Sequence, residues 1–177
     1  MIRILALCGS LRRQSLNRRA LALAVDLAPP IGEVALWRGL ATLPLFSPDL
    51  DQPGLPLPGA VRALVAEVDT ADGLLIACPE YAHGVPGAFK NALDWLVGST
   101  TFPGKPVALW NVAPRAHHAQ DQLREILTTM SAEIVEEACC AAAFPKPEEP
   151  QSAAQFEAQL RTALAAYFAR LQTRLGR

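Results

Sequence analysis

The stretch IRILALCGSLRRQSLNRRALALAV, residues 2–25, joins a short apolar run to a helix-like segment through a polar loop. Residues 2–7 predict a β-strand that leads to Gly9, and residues 15–27 place leucine and alanine side chains at helical spacing. Ser15 is a favourable N-cap for that helix. A strand, a loop and a helix in this order indicate the first unit of an α/β fold.

Four arginines occupy the loop and the first turns of this helix, where helix electrostatics oppose them: Arg12, Arg13, Arg18 and Arg19. The first acidic residue of the chain is Asp26, so nothing balances them locally. The helix dipole disfavours an arginine at a helix start by roughly 0.3–1 kcal/mol. With free backbone amides and the side chains of Ser10, Ser15 and Asn17, this charge predicts a site for a phosphate monoester.

The loop lacks the sequences that cradle larger phosphate ligands. It is neither G-x-G-x-x-G nor G-x-x-x-x-G-K-[ST], so a dinucleotide pyrophosphate or a nucleoside triphosphate has no usual cradle here. Arg12, which stands between Ser10 and Ser15, is predicted to bind the phosphate. The other three arginines are predicted to raise the local positive potential.

The rest of the chain continues the alternation of strands and helices. Further strands are predicted at residues 33–36, 73–77, 107–110 and 134–142, and further helices at 59–70, 86–97, 119–130 and 153–175. Between the second strand and the second helix, the prolines, glycines and aspartates of residues 39–58 predict a long irregular loop. This order predicts a parallel sheet between two helical layers, a three-layer α/β sandwich formed by one domain over residues 1–177.

Composition excludes several function classes. The chain is 51% hydrophobic and 19% charged with a formal net charge of −1, which argues against a disordered tail, a nucleic-acid-coating protein or a membrane-surface binder. No apolar run approaches the roughly 20 residues that span a bilayer, and we expect a soluble, cytoplasmic protein. The four cysteines lack C-x-x-C spacing and the three histidines complete no zinc pattern, so no metal site is predicted.

Ligands of such sheets bind at the carboxyl ends of the strands, where strand order reverses. The loop after the third strand begins the segment CPEYAHGVPGAFKNALDWLVGS, residues 78–99. Together with GSLRRQSLN at 9–17 and LPLF at 43–46, this segment resembles the NAD(P)H-dependent FMN reductases of flavodoxin-like fold. The resemblance covers essentially the whole chain in order and implies a five-stranded parallel sheet with strand order 2-1-3-4-5.

The resemblance also implies a flavin site and its residues. The FMN phosphate would be held by Ser10, Arg12, Ser15 and Asn17. The isoalloxazine ring would lie along Pro79, Glu80, Tyr81, His83 and Gly84. The loop NVAPRAHHAQ, residues 111–120, would close over the ribityl chain or the ring edge through Asn111, Pro114 and Arg115.

Two departures from the family pattern bear on flavin affinity and substrate choice. Many members have asparagine where this chain has Ala82, and many have glycines where this chain has Arg115, His117 and His118. His117 and His118 are interpreted as helix-start or pocket-wall residues, because neighbouring positions of a helix point in different directions. His83 is expected to touch the ring or the pyridine nucleotide.

The implied activity needs no catalytic side chain, because FMN N5 would accept the hydride. NADPH or NADH would be the donor, and a quinone, flavin, azo compound or metal oxyanion would take electrons in a ping-pong reaction. A flavodoxin-like electron carrier and a binding module for another phosphorylated ligand are the alternatives. Ser10 lies outside any G-x-S-x-G sequence, which argues against a hydrolase.

An excess of apolar residues on the helix predicted at 86–97 indicates that more than one of its faces is covered. The alternatives are a deeply buried core helix and a subunit interface. The resemblance implies pairing through helices beside the flavin, and we expect a homodimer or a tetramer.

Overall fold

The computed structural model describes residues 1–146 and 148–176, which form six strands and five α-helices. The strands are β1 (Ile2–Cys8), β2 (Gly32–Leu36), β3 (Gly73–Ala77), β4 (Pro106–Asn111), β5 (Glu133–Ile134) and β6 (Cys140–Ala141). The helices are α1 (Leu16–Asp26), α2 (Gly59–Thr70), α3 (Gly87–Val97), α4 (His118–Thr129) and α5 (Pro150–Leu175). Apart from the consecutive strands β5 and β6, strands and α-helices alternate along the chain, as the sequence predicts.

The strands form one parallel sheet in the order β2-β1-β3-β4-β5, which confirms the predicted strand order. In its register Cys8 pairs with Ala77, and Ala77 pairs with Trp110. The carboxyl ends of β1, β3 and β4 therefore lie side by side. The three loops that follow these strands meet at one edge of the sheet.

The fifth strand position differs from the prediction of one continuous strand at 134–142. β5 pairs with the beginning of β4 and β6 with its end, and a 3-10 turn at Glu136–Ala138 separates them. The cause is register: β4 advances three residues from Val107 to Trp110, while its partner advances six from Ile134 to Cys140. The surplus residues leave the ladder, and the turn they form exposes Glu136.

Each face of the sheet is covered by its own apolar core, which gives the three layers. Alternate residues of β1 divide between the faces: Ile4 and Ala6 pack with α1 and α5, whereas Leu5 and Leu7 pack with α2, α3 and α4. β3 is buried along its whole length. Strands covered on both faces are typical of parallel sheets. Of the helices in the described part of the chain, none combines the length and the apolar character that crossing a membrane requires.

Tyr167 fastens α5 to the centre of the sheet. Its side chain is fully buried, and its hydroxyl lies 2.9 Å from the carbonyl oxygen of Leu74 and 2.8 Å from that of Pro106. Burial raises the pKa of Tyr167 well above its usual value, so the hydroxyl stays a neutral donor. The ring reaches β3 at Gly73, where a side chain would collide with it.

Residues 39–58 are more ordered than predicted, because two short 3-10 turns form at Leu40–Thr42 and Pro48–Leu50. In the second turn proline at the first position presets the backbone, and the Ser47 hydroxyl accepts the Asp49 N–H. Pattern-based reasoning underestimates such one-turn helices, because proline and aspartate are also typical of loops.

The same loop covers part of α3. Trp95 is only 3% exposed; its Nε1 donates to the Pro44 carbonyl oxygen at 2.8 Å, and the Phe46 ring meets it edge-on at 5.0 Å. Some of the apolar excess of this helix is thus covered within the chain. Val97, at the end of α3, is 66% exposed. The homodimer or tetramer stays a prediction.

Asn91 is expected to hold this loop on α3, so that Asn91→Ala should detach it. The Asn91 Oδ1 accepts the Phe46 N–H at 2.7 Å, and its Nδ2 donates to the Pro44 carbonyl oxygen at 2.9 Å. We expect the free energy of unfolding to fall by about 1–2 kcal/mol and the Phe46 amide to exchange faster. Urea unfolding and hydrogen exchange measure the two effects. Lys90→Ala, which removes an exposed ion pair, is the matched control, and an unchanged Phe46 amide would refute the role.

Candidate functional site

The three loops at the strand ends enclose a cavity of about 210 Å³. Eight of the residues predicted to bind the cofactor line it: Ser10, Arg12, Ser15, Asn17, Pro79, Glu80, Tyr81 and Asn111. Leu16, Cys78, Val112, Ala113 and Ala116 complete the lining. His83, Gly84, Pro114 and Arg115 are not among the lining residues and lie in the β3 and β4 loops beside it.

The first loop presents two buried hydroxyls to the cavity. Ser15 is the N-cap of α1 and accepts the Arg18 N–H at 3.3 Å. Ser10 accepts the Arg12 N–H at 3.2 Å. Each hydroxyl oxygen serves as an acceptor for the backbone, so each can direct its own proton to an anion in the cavity. The start of α1 adds unpaired backbone donors and the positive end of the helix dipole.

Asn17 carries a polar atom that lacks a partner. The residue is 8% exposed. Among the buried side-chain nitrogen and oxygen atoms of residues 1–146 and 148–176, Asn17 Oδ1 is the one that has no hydrogen-bond partner. Burying such a group unpaired costs about 1–3 kcal/mol. A hydroxyl of a ligand would donate to this oxygen as it stands, whereas a phosphate would accept from Nδ2 after a half-turn of the amide puts Nδ2 in its place. This orphaned amide fits a phosphorylated ligand such as FMN.

Of the four arginines, Arg13 is exposed, and the other three have distinct environments. Arg12 is exposed and lines the cavity. Arg18 donates through Nη2 to the Ser10 carbonyl oxygen at 3.4 Å and so braces the loop. Arg19 lies over the Phe144 ring, 4.6 Å from its centroid, in a cleft that α1 forms with α5. The bracing by Arg18 was missed by the sequence reasoning, because it joins residues eight positions apart across the loop.

The β3 loop contains a strained two-residue hairpin. Tyr81 and Gly84 exchange backbone hydrogen bonds at 3.1 and 3.0 Å, and the two residues between them have positive φ, 50° at Ala82 and 59° at His83. Positive φ at both central positions defines a type I′ turn, which favours asparagine and glycine. A non-glycine residue in this conformation costs roughly 1–2 kcal/mol. Ala82 therefore stands where asparagine, common in the family, would be better suited.

Helix α4 holds the two ends of this turn. The Glu80 Oε2 accepts the Ala119 N–H at 3.0 Å and so caps a helix that no local side chain caps. The Gln122 Oε1 accepts the Val85 N–H at 2.7 Å. Glu80, predicted to lie along the ring, thus also has a structural partner. Gln122 was missed by the sequence reasoning; its spacing of four residues from His118 places both on one helix face.

All three histidines of the chain meet beside the same turn. The rings of His83 and His118 stack with centroids 4.3 Å apart and planes at 28°. The ring centroids of His117 and His118 are 4.2 Å apart, and the His117 Nδ1 lies 3.0 Å from Oδ2 of Asp121. Within the part of the chain that the structure describes, no three histidine, cysteine, aspartate or glutamate side chains are arranged to hold a metal ion.

The β4 loop is shaped by Asn111, which is largely buried. Its Oδ1 accepts the Ala113 N–H at 2.9 Å and its Nδ2 donates to the Ala116 carbonyl oxygen at 3.0 Å. The side chain therefore closes the loop on itself and leaves Pro114 and Arg115 exposed at its tip. Asn111 shapes the wall of the cavity, whereas Arg115 is free of any such local role.

Gly9 and Cys78 bring the first two loops into contact at the base of the cavity. A Cβ at Gly9 would lie 2.5 Å from the Cys78 Sγ, so only glycine allows this approach. Burial raises the pKa of Cys78 to about 12. The thiol therefore stays protonated at neutral pH and is no nucleophile.

The vicinal cysteines do not form a dithiol site. Cys139 packs in the apolar core between the sheet and helices α3 and α4. Cys140 packs in the core on the opposite face, between the sheet and helices α1 and α5. Successive residues of an extended chain point to opposite faces, which separates the two thiols. Both are interpreted as structural residues, and burial raises the pKa of each thiol.

A larger cleft, of about 890 Å³, lies between α1 and the beginning of α5. Its lining mixes apolar side chains such as Leu23 and Phe156 with charges of both signs. The smaller cavity is the better candidate site, because it lies at the strand ends where the strand order reverses and contains the orphaned Asn17 amide.

Comparisons with known proteins identify the relatives of this chain. The family described as NADPH-dependent FMN reductase matches residues 2–145. A quinone reductase of Escherichia coli K12 is 34% identical over 139 residues, which cover 76% of this chain and 73% of the relative. An NAD(P)H-dependent FMN reductase of Pseudomonas aeruginosa is 34% identical over 165 residues, 89% of this chain and 83% of that protein. In structure, the chain resembles the flavoenzyme NAD(P)H:(acceptor) oxidoreductase FerB of Paracoccus denitrificans, with a TM-score of 0.75, 24% identity and coverage of 93% and 96%.

Proposed function

The chain belongs to the NADPH-dependent FMN reductase family, and we propose that it is a quinone reductase that works by a ping-pong mechanism. That it is an FMN-dependent oxidoreductase with NAD(P)H as donor follows from the family. The proposed acceptor rests on the relatives called quinone reductases. Free flavins, azo compounds and metal oxyanions are further candidate acceptors of the same open site.

The observation that carries the proposal is the phosphate cradle at the start of α1. It combines the orphaned Asn17 amide, the buried hydroxyls of Ser10 and Ser15 and the cavity-lining Arg12. These groups offer hydrogen-bond donors and one positive charge around a helix N-terminus, the environment that a phosphate monoester prefers. We assign the FMN phosphate to them.

The β3 loop is proposed to carry the flavin ring. Pro79 and Tyr81 line the cavity, and His83 and Gly84 continue from them in the type I′ turn. Glu80 sets the position of this loop through its bond to α4, and Asn111 sets the opposite wall. Pro114 and Arg115, exposed at the tip of the β4 loop, are assigned to the rim where the ribityl chain or the ring edge would lie.

FMN held by these residues would supply the redox chemistry, that of a hydride acceptor and electron donor. The protein's part is to orient the two substrates and to leave one face of the ring accessible to both in turn. This is why we propose that donor and acceptor alternate at one site. No side chain of the site is assigned an acid or base role, and the protonated Cys78 is unsuited to one.

The spectrum of the purified protein, before and after addition of NADPH or NADH, tests cofactor and donor together. We expect FMN absorbance that bleaches on adding the donor and returns on adding a benzoquinone. Initial rates at several concentrations of both substrates should give parallel double-reciprocal lines. Intersecting lines would exclude the ping-pong mechanism, and a colourless protein that does not take up FMN would exclude the flavin assignment.

The same measurements separate the two alternatives. A flavin-loaded protein that exchanges electrons with protein partners, but does not oxidise NAD(P)H in the presence of a quinone, would be an electron carrier. A protein that binds other phosphorylated ligands but not FMN would be a binding module. The net charge of −1 argues against the carrier, since such carriers tend to dock through strongly acidic surfaces.

Four sequence predictions accompany this proposal and stay predictions: the single domain over residues 1–177, the cytoplasmic location, the homodimer or tetramer, and the residues of the flavin site. A preference for NADPH over NADH would depend on a contact to the 2′-phosphate that only NADPH carries. Arg115 is the candidate for reading the 2′-phosphate, because it is exposed at the tip of a loop beside the cavity.

A further inference from the structure

We propose that His118 is a positioning residue whose ring holds the strained turn of residues 81–84 at the flavin site. The inference concerns this chain's own residues, and its effect on turnover rests on the function proposed above. His118 itself belongs to α4 and is not assigned to cofactor or substrate. Its role would be to fix the position of Tyr81 and Gly84, which are proposed to border the flavin ring.

The turn needs an external support. Both central residues adopt a conformation that favours asparagine or glycine, and Ala82 is poorly suited to it because its methyl group adds a steric cost without a polar group to offset it. Tyr81, Ala82 and His83 are also exposed, so the core does not hold them by packing. Strained backbone persists only where surrounding contacts over-determine it.

The supports differ in the part of the loop that they reach. Glu80 and Val85, which are bonded to α4, flank the turn. The strained pair itself is reached by the ring of His118, which stacks on His83 at a centroid distance of 4.3 Å. Ala82 offers only a methyl group, so the His83 ring is the larger surface of the pair.

The other aromatic ring beside the stacked pair of His83 and His118, that of His117, does not support the turn. His117 contacts the His118 ring and pairs with Asp121, on the side chain's own helix. His117 is therefore a matched control for His118. Among the ring contacts of the described residues, His117 contacts the His118 ring but not the His83 ring of the turn.

Amide exchange at Gly84, measured by NMR in the purified protein, tests the support directly. The Gly84 N–H donates to the Tyr81 carbonyl oxygen at 3.0 Å and reports whether the turn is closed. His118→Ala should speed its exchange about tenfold, while His118→Phe, which keeps an aromatic face, should stay within about twofold of the original protein. His117→Ala should also stay within about twofold.

A second substitution asks whether strain is what His118 opposes. Asparagine adopts positive φ more readily than alanine, so Ala82→Asn should make the turn self-supporting. In that background His118→Ala should change Gly84 exchange by less than about twofold. A tenfold effect that persists in the Ala82→Asn background would overturn the inference, as would unchanged exchange in His118→Ala alone.

Turnover supplies the readout that a purely structural role would not give. His118→Ala should raise the KM for a benzoquinone about five- to tenfold and leave kcat within about twofold, with His118→Phe restoring KM. Equal losses in His118→Ala and His118→Phe would contradict positioning through the stack. Failure of FMN uptake in the original protein would remove the proposed function but leave the exchange result intact, so the two failures are distinguishable.

Discussion

Gly73→Ala is expected to lower the free energy of unfolding by about 3 kcal/mol, although it adds a single methyl group. A Cβ at this position would lie 2.4 Å from the Tyr167 hydroxyl oxygen and 2.9 Å from its Cζ. Tyr167 cannot swing out toward solvent, because it is fully buried and its hydroxyl is bonded to the carbonyl oxygens of Leu74 and Pro106. The methyl group must therefore displace either the helix or the strand.

Urea unfolding of Gly73→Ala beside Gly87→Ala measures this effect. Gly87, the first residue of α3, is exposed, and a Cβ there meets nothing within 4 Å. Its replacement should change the free energy of unfolding by less than about 0.5 kcal/mol. Similar stabilities of the two variants would refute the collision.

Tyr167→Phe identifies the atom responsible. Alone it removes the hydrogen bond to the carbonyl oxygens of Leu74 and Pro106 and should cost about 1–2 kcal/mol. Combined with Gly73→Ala it also removes the closest clash. The double variant should therefore lose less stability than the sum of the two single losses, and strict additivity would show that the hydroxyl is not the obstacle.

The fold could be predicted where local signals agree with one another. The strand Gly73–Ala77 and the helix Gly59–Thr70 have the predicted bounds, because Pro58 precedes the helix and a polar Asp72 separates the two apolar patterns. Strand order followed from the family resemblance. In both cases the information lies within a few residues of the element or in the order of motifs.

The segment at 134–142 could not be predicted, since its interruption depends on β4. No glycine or proline marks the break after Ile134, and only the register against Val107 and Trp110 requires it. The Trp110 Nε1 then donates to the Ala138 carbonyl oxygen at 3.2 Å inside the resulting turn. Such a contact between distant residues leaves no periodic signal in the sequence.

The candidate site divides in the same way. The capping role of Ser15 was predicted from its position before an apolar helix pattern and is observed. The bonds from Glu80 to Ala119 and from Gln122 to Val85 join residues 39 and 37 positions apart. Residue types and motif order predicted which side chains lie at the strand ends, whereas the side chains that brace the loops emerged only from the three-dimensional contacts.

Arg12→Ala is expected to raise the dissociation constant for FMN about 30- to 150-fold, the effect of losing one charge-assisted hydrogen bond of roughly 2–3 kcal/mol. Arg12 is the arginine of the first loop whose side chain lines the cavity beside Ser10 and Ser15. The Arg12 side chain is exposed, so its removal should weaken FMN binding without a comparable change in the free energy of unfolding.

Arg19→Ala is the matched control, since it removes the same charge from the same helix end. The Arg19 guanidinium lies over the Phe144 ring, in the cleft toward α5, and is expected to act on bound FMN only through its long-range potential. The dissociation constant should then rise less than about threefold at 0.15 M salt, because such a potential is screened over roughly 8 Å. Titration of the FMN-free protein with FMN, followed by quenching of flavin fluorescence, gives both constants.

The comparison decides how the positive charge around this helix works. If a direct bond from Arg12 to the phosphate dominates, Arg12→Ala should still weaken FMN binding at high salt, where a long-range potential is screened. Arg12→Lys should then recover part of the FMN affinity, because lysine restores the charge but not the planar guanidinium. If the arginines act only as a diffuse patch, Arg12→Ala and Arg19→Ala should weaken FMN binding equally and both effects should fade with salt. Equal losses would therefore withdraw Arg12 from the phosphate site and leave Asn17, Ser10 and Ser15 to define it.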